Sequence, residues 1–186
     1  MDRKVILYIA MSVDGYIAKH DGNIDFLSAV ETTETDYGYA DFLAGIDTMI
    51  WGRKTFDKVL SMVEEIPHRD KKVFVVSRTR TGSHDHVIYH PDVVELVKQL
   101  KQEEGKNIYC DGGSEIIAEL MKHSLIDKMI ISIVPHILGG GIPLFREGVP
   151  ERLLKFKQSI TYPTSLVQLW YDVDKEGAEE TPPEES

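Results

Sequence analysis

Three segments of the sequence set glycine, hydroxyl and basic residues directly after apolar runs. Thr48-Met49-Ile50-Trp51 leads into Gly52-Arg53-Lys54-Thr55. Val73-Phe74-Val75-Val76 leads into Ser77-Arg78-Thr79-Arg80. Asn107-Ile108-Tyr109-Cys110 leads into Asp111-Gly112-Gly113-Ser114, where a helical pattern begins. In an open α/β sheet, ligands bind beyond the carboxyl ends of strands. A helix N-terminus offers free N–H groups and the positive end of its dipole, which suits phosphate. Glycine removes the β-carbon, so a pyrophosphate can approach the backbone. Arginine adds a bidentate grip on a terminal phosphate. Any one of these features is most simply a tight turn or a solvated side chain. Their coincidence at three strand ends points to a ligand with several phosphates, such as NADPH.

The strands that must position these residues are legible as apolar runs. Strands are predicted over 5–11, 48–51, 72–77, 87–89, 107–111, 128–134, 154–160 and 166–172. Helical spacing covers 36–43, 54–62, 92–102 and 114–122, with Gly45 ending the first. Alternation of β and α with near-continuous apolar strands predicts a mostly parallel sheet covered on both faces. The last strands follow one another without a strong helix, which predicts an antiparallel edge.

Composition narrows the function classes. The 186 residues carry 21 basic and 31 acidic side chains, a net charge of -10. That balance excludes a broad nucleic-acid surface. The single Cys110 excludes an internal disulfide and a cysteine-rich metal site, and no metal is expected. His84 and His86 have the spacing of a ligand pair, yet they lie in a polar loop without a third partner. No apolar run approaches a membrane span, so a cytoplasmic location is expected. Half of the net charge lies in 174–186, where six carboxylates face Lys175. That stretch is read as a disordered acidic tail, leaving one domain over 1–173.

The same residues carry a family resemblance. Ile9-Ala10, Asp14-Gly15-Tyr16-Ile17, Ile50 to Phe56, Val75 to Arg78 and Asp111 to Ser114 follow the order and spacing of the dihydrofolate-reductase superfamily. Ser12-Val13-Asp14-Gly15 and Val134-Pro135-His136-Ile137-Leu138-Gly139-Gly140-Gly141 resemble more closely the reductase domain of bacterial riboflavin biosynthesis. The resemblance spans about residues 3 to 173 and implies a stand-alone form without the fused deaminase domain.

It implies a three-layer α/β fold, with a mixed sheet of about eight strands and helices on both faces. It implies NADPH as cofactor. Gly52, Arg53, Lys54 and Thr55 match the phosphate loop, and Ser77 and Arg78 the 2′-phosphate site. Gly112, Gly113, Ser114, Glu115 and Ile116 match the pyrophosphate turn, and Ala10 and Ile17 the nicotinamide contacts. Residues 12–25 match a mobile lid. Asp111 matches the acid that contacts a phosphoribosylaminopyrimidine substrate, so 5-amino-6-(5-phosphoribosylamino)uracil reduction is the leading expectation. Dihydrofolate-type reduction and NADPH binding without turnover are the alternatives. Asp14 is a second candidate acid, and equally a turn former. Asp25 and Phe26 follow the lid as substrate-side candidates, and Lys71 aligns with an arginine that grips folate. The family is often dimeric, so a homodimer is expected, with a small-molecule substrate and no nucleic-acid or membrane partner.

Overall fold

The computed structural model describes residues 3–175. In chain order it contains β1 (Val5–Ser12), β2 (Tyr16–Ala18), a 3-10 helix (Asp25–Val30), α1 (Tyr39–Ala44), β3 (Ile46–Gly52) and α2 (Arg53–Leu60). There follow β4 (Lys72–Val76), β5 (Ser83–His84), β6 (Val87–His90), α3 (Val93–Leu100), β7 (Asn107–Gly112) and α4 (Ser114–Lys122). The chain continues with β8 (Lys128–Val134), β9 (Ile142–Pro143), β10 (Leu154–Thr161) and β11 (Val167–Val173).

Nine strands form one sheet in the order β10-β11-β8-β1-β7-β3-β4-β6-β5. The six strands from β8 to β6 are parallel. β11, β10 and β5 pair antiparallel at the two edges. The ninth strand is the two-residue β5, too short to show a pattern in sequence. Successive residues of a strand face opposite ways, and both faces of the sheet are covered. Val5 and Leu7 join Ile108 and Cys110 under α3 and α4. Ile6 joins Met49, Trp51 and Tyr109 on the other face, where Phe56 of α2 and Phe42 of α1 pack. α3 starts where expected because the Asp92 carboxylate accepts the Val94 and Glu95 N–H groups at 2.8 and 3.0 Å. No helix among the described residues is long and apolar enough to cross a membrane.

A buried arginine locks the N-terminal edge of the parallel strands. Arg3 is 2% exposed. It donates to Lys106 O at 2.7 Å, Leu100 O at 3.0 Å and Thr48 Oγ1 at 2.7 Å. It also pairs with Asp47, whose other oxygen accepts the Lys106 N–H at 2.7 Å. One guanidinium thus joins the entrances of β1, β3 and β7 to the end of α3. The described residues extend to 175. The Asp174 N–H donates to Leu153 O at 3.0 Å, and Lys175 Nζ donates to Asp127 at 2.5 Å. The remaining tail, 176–186, lies outside the described residues.

The segment expected as a lid is tied down at its base. β2 pairs antiparallel with β9, and Leu144 N–H donates to Gly15 O at 2.9 Å. Asp14 accepts the N–H groups of Leu138 and Gly139 at 3.1 and 2.7 Å. The triple glycine has a steric reason here. At Gly141, φ is +152°, and a β-carbon would lie 2.2 Å from Ala18 O.

Two outcomes follow. Arg3→Leu leaves the Leu100 and Lys106 carbonyls without their donor and the partly exposed Asp47 without its cation, so urea unfolding loses about 2 kcal/mol. Gly141→Ala forces β9 away from β2, so limited proteolysis cuts within 13–23 faster than in the wild type while global unfolding changes little.

Candidate active site at the carboxyl ends of the strands

The site is organised by three glycines. β3 and β7 are parallel neighbours, with Trp51 opposite Gly112. A β-carbon on Gly52 would lie 3.1 Å from Ile116 Cγ1 and 3.4 Å from both Gly112 O and Gly113 N. One on Gly113 would lie 3.2 Å from Thr55 Oγ1. Gly112 has φ +96°, a conformation side chains rarely adopt, and the Gly112-Gly113 peptide is cis. The turn therefore needs glycine, and its tightness sets the first turn of α2 beside that of α4. Neither helix has a side-chain cap. Two sets of free N–H groups, from Arg53 to Thr55 and from Ser114 to Ile116, share one small region.

The cations gathered around it are mostly paired. Arg53 Nη1 lies 3.2 Å from Asp57, and Arg80 holds the same carboxylate through two nitrogens at 2.6 and 3.2 Å. Lys54 Nζ lies 3.2 Å from Glu115, which Arg146 also meets at 3.4 Å. The Lys54 ammonium holds the Glu115 carboxyl below its usual range, helped by the charges of Arg146 and Arg78. Arg78 itself is exposed and makes no hydrogen bond or ion pair among the described residues. Ser77 is buried, and its Oγ accepts the N–H groups of Thr79 and Arg80 at 3.3 and 3.0 Å, shaping the turn that carries Arg78.

Asp111 is the acid next to the glycine turn. It lies on the same face of β7 as Tyr109, two residues before it. Trp51 Nε1 donates to its Oδ2 at 2.5 Å, and Tyr109 OH donates to its Oδ1 at 2.6 Å. Burial raises its pKa from 3.8 to about 6, against the lowering by those two donors. No cation sits on this carboxyl among the described residues. Its surroundings are aromatic: Tyr8, Tyr39, Phe42 and Tyr109 form one cluster, and Trp51 stacks on Phe56. Burial also raises the Tyr109 phenol, so it remains a proton donor to Asp111.

The other candidates divide. Ile17, on β2, packs on the larger core cluster, and Ala10, on β1, packs beside Phe26 and Val134. Asp14 is exposed and held by Ser12 Oγ at 2.6 Å besides the two loop N–H groups. The Ser12 hydrogen bond leads in lowering its pKa to about 2. It is therefore ionised near neutrality, and its bonds give it the turn-forming role instead of proton donation. Phe26 is 4% exposed among Val30, Val134 and Leu166, so its ring is closed to a substrate by packing. Asp25 starts the 3-10 helix in solvent and accepts from Asn23 Nδ2 at 2.7 Å. Lys71 belongs elsewhere: its Nζ donates to Leu43 O and Ile46 O, at the amino ends of β3 and β4, opposite the site. Cys110 is buried, and its thiol is pushed up to about 12.

Sequence reasoning missed three contributors. Tyr109 was findable, since a residue two before an acid on a strand shares its face. Trp51 is buried and also donates to Asp111, a pairing that strand order alone reveals. Arg146 joins from beyond β9, where nothing in the sequence signals proximity to Glu115.

This architecture has known counterparts. The family model of the RibD C-terminal domain matches residues 3–168. The uncharacterized protein YwjB of Bacillus subtilis (strain 168) is 41% identical over 173 residues, covering 92% of this chain and 98% of that one. A crystal structure from Shewanella sp. PV-4, provisionally assigned to riboflavin biosynthesis, is 34% identical with a TM-score of 0.83, covering 92% of this chain and 99% of that chain. Dihydrofolate reductase from Enterococcus faecalis, complexed with NADP(H), matches at a TM-score of 0.67 and 15% identity, covering 94% and 98%. That likeness shows the fold, and the family's reductase character follows from the whole set. On fold, motif order and identity together, the chain belongs to the RibD C-terminal domain family.

Proposed function

We propose that the protein is an NADPH-dependent reductase of a phosphorylated aminopyrimidine, of the type 5-amino-6-(5-phosphoribosylamino)uracil. The observation that carries this reading is the pair of uncapped helix N-termini on a glycine cradle, one residue from an acid with a pKa of about 6. The donor set fits a dinucleotide. The N–H groups after Gly52 and Gly113, with Thr55 and Ser114, would meet its pyrophosphate. Arg53, Ser77 and Arg78 would meet the 2′-phosphate, and Ala10 and Ile17 the nicotinamide. When bound, NADPH supplies a hydride.

The chain's own residues supply the rest. A ring-opened ribosylamino group presents a carbon–nitrogen double bond; its reduction adds hydride at carbon and a proton at nitrogen. Asp111 can hold that proton near neutral pH, because its pKa lies close to the working range. Trp51 and Tyr109 fix its two oxygens, so the acid meets the substrate in one orientation. The loop from Ser12 to Asp25, anchored by Asp14 and β9, covers the cofactor end and excludes water. Dihydrofolate fits less well, since Lys71 is spent at the amino ends of β3 and β4. The titrating acid favours turnover over mere cofactor binding. Leu153 and Phe156, 70% and 60% exposed beside and on the edge strand β10, support a homodimer through that edge.

Arg78→Ala is expected to weaken NADPH about tenfold and NADH little, measured by tryptophan fluorescence titration. Equal losses for both cofactors would remove the 2′-phosphate assignment. Turnover of the aminopyrimidine requires protonated Asp111, so its rate falls as pH rises through about 6. Asp111→Asn lowers kcat by roughly a hundredfold or more and loses that limb of the pH profile. An unchanged profile in the variant would assign the proton to another group.

A further inference from the structure

Asp57 carries no role in the reading above, yet it is the most connected anion of the site. Its Oδ1 lies 2.6 Å from Arg80 Nη1, and its Oδ2 lies 3.2 Å from both Arg80 Nη2 and Arg53 Nη1. It is itself 35% exposed, and the two guanidiniums are 39% and 42% exposed. The assembly is open to a ligand on both arginines, unlike the Arg3–Asp47 pair, whose guanidinium is buried. It lies between the two segments that would meet a 2′-phosphate. Arg53 follows Gly52, and the Arg80 N–H closes on Ser77 Oγ within the turn that carries Arg78. A carboxylate gripped by one arginine fork and touched by a second has the donor pattern that a phosphate uses.

We propose that Asp57 is a displaceable counter-anion that sets the preference between phosphorylated and unphosphorylated dinucleotides. The inference rests on the nicotinamide-dinucleotide reading of this site. In the free protein Asp57 neutralises one of the two arginine charges and holds both side chains in place. An arriving 2′-phosphate takes over the forks of Arg80 and Arg53, and then feels the Asp57 charge as repulsion. A dinucleotide without that phosphate leaves the Asp57 pairs intact. Glu115 plays the corresponding part toward Lys54 and Arg146. Its cations flank the N-terminus of α4, which faces the pyrophosphate common to both dinucleotides. The two acids therefore have separable effects.

The test titrates wild type, Asp57→Asn, Asp57→Ser and Glu115→Gln with NADPH, NADH and 2′-AMP, following tryptophan fluorescence and calorimetric heat. Asp57→Asn is expected to bind NADPH and 2′-AMP about tenfold more tightly, with NADH within twofold of wild type. Glu115→Gln is expected to shift NADPH and NADH by the same factor. Asp57→Ser, which removes the charge with a smaller side chain, should follow Asp57→Asn and keeps the test open should the amide repack poorly. Weaker NADPH binding in both Asp57 variants, equal shifts for both dinucleotides, or no shift would overturn the proposal while leaving the cofactor reading in place. A wild type that binds neither NADPH nor 2′-AMP would overturn the cofactor reading itself, and the proposal with it.

Discussion

The close approach of Gly52 to the Gly112–Gly113 turn is the constraint on which the site depends. With a β-carbon at position 52, Ile116 Cγ1 would have to give way by a few tenths of an ångström, and the backbone of the Gly112–Gly113 turn would be in full contact. Without one, two parallel strands deliver two helices to the same spot, and their unpaired N–H groups converge. The same adjacency sets Trp51 beside Asp111, at the register shift where Trp51 pairs with Gly112 and Asp111 is left unpaired between Cys110 and Gly112. The anion cradle and the fixed acid are thus two results of one backbone contact.

Carboxylates around this contact fall into two electrical environments. Asp57 and Glu115 sit among cations in partial solvent, where charge is cheap to keep and to exchange. Asp111 sits against aromatic rings with only neutral donors, where a negative charge is poorly solvated and a proton is retained longer. Residues suited to ion exchange and one suited to proton transfer thus flank the same pair of helix starts. An acidic protein with a net charge of -10 can therefore still present a local anion site.

Much of this was legible beforehand, for identifiable reasons. β8 and α4 match their expected limits residue for residue, because each shows an unbroken period over seven or nine positions. The residues at the three strand ends were legible because glycine, hydroxyl and basic residues coincide after three apolar runs. What stayed hidden was set by partners distant in sequence. β2 and β9 are three and two residues long, and only their pairing to each other makes them strands. Phe26 follows the lid in sequence, but its ring is claimed by Val134 and Leu166, more than a hundred residues away. Lys71 aligned by order alone, while two backbone carbonyls had already claimed its ammonium.

β1 is the first strand made and one of the innermost, lying between β7 and β8. During synthesis its apolar run, Val5 to Met11, leaves the ribosome with no edge to join. Both partners, and the Leu100 and Lys106 carbonyls that Arg3 will meet, are still untranslated. At elongation rates of roughly 5–20 residues per second, the interval before residue 134 is added is on the order of ten seconds. For that time the nascent chain displays an unpaired apolar strand, the kind of segment that chaperones hold and aggregates recruit. The fold thus places its most protected element, in the finished protein, where it is the most exposed one during biosynthesis.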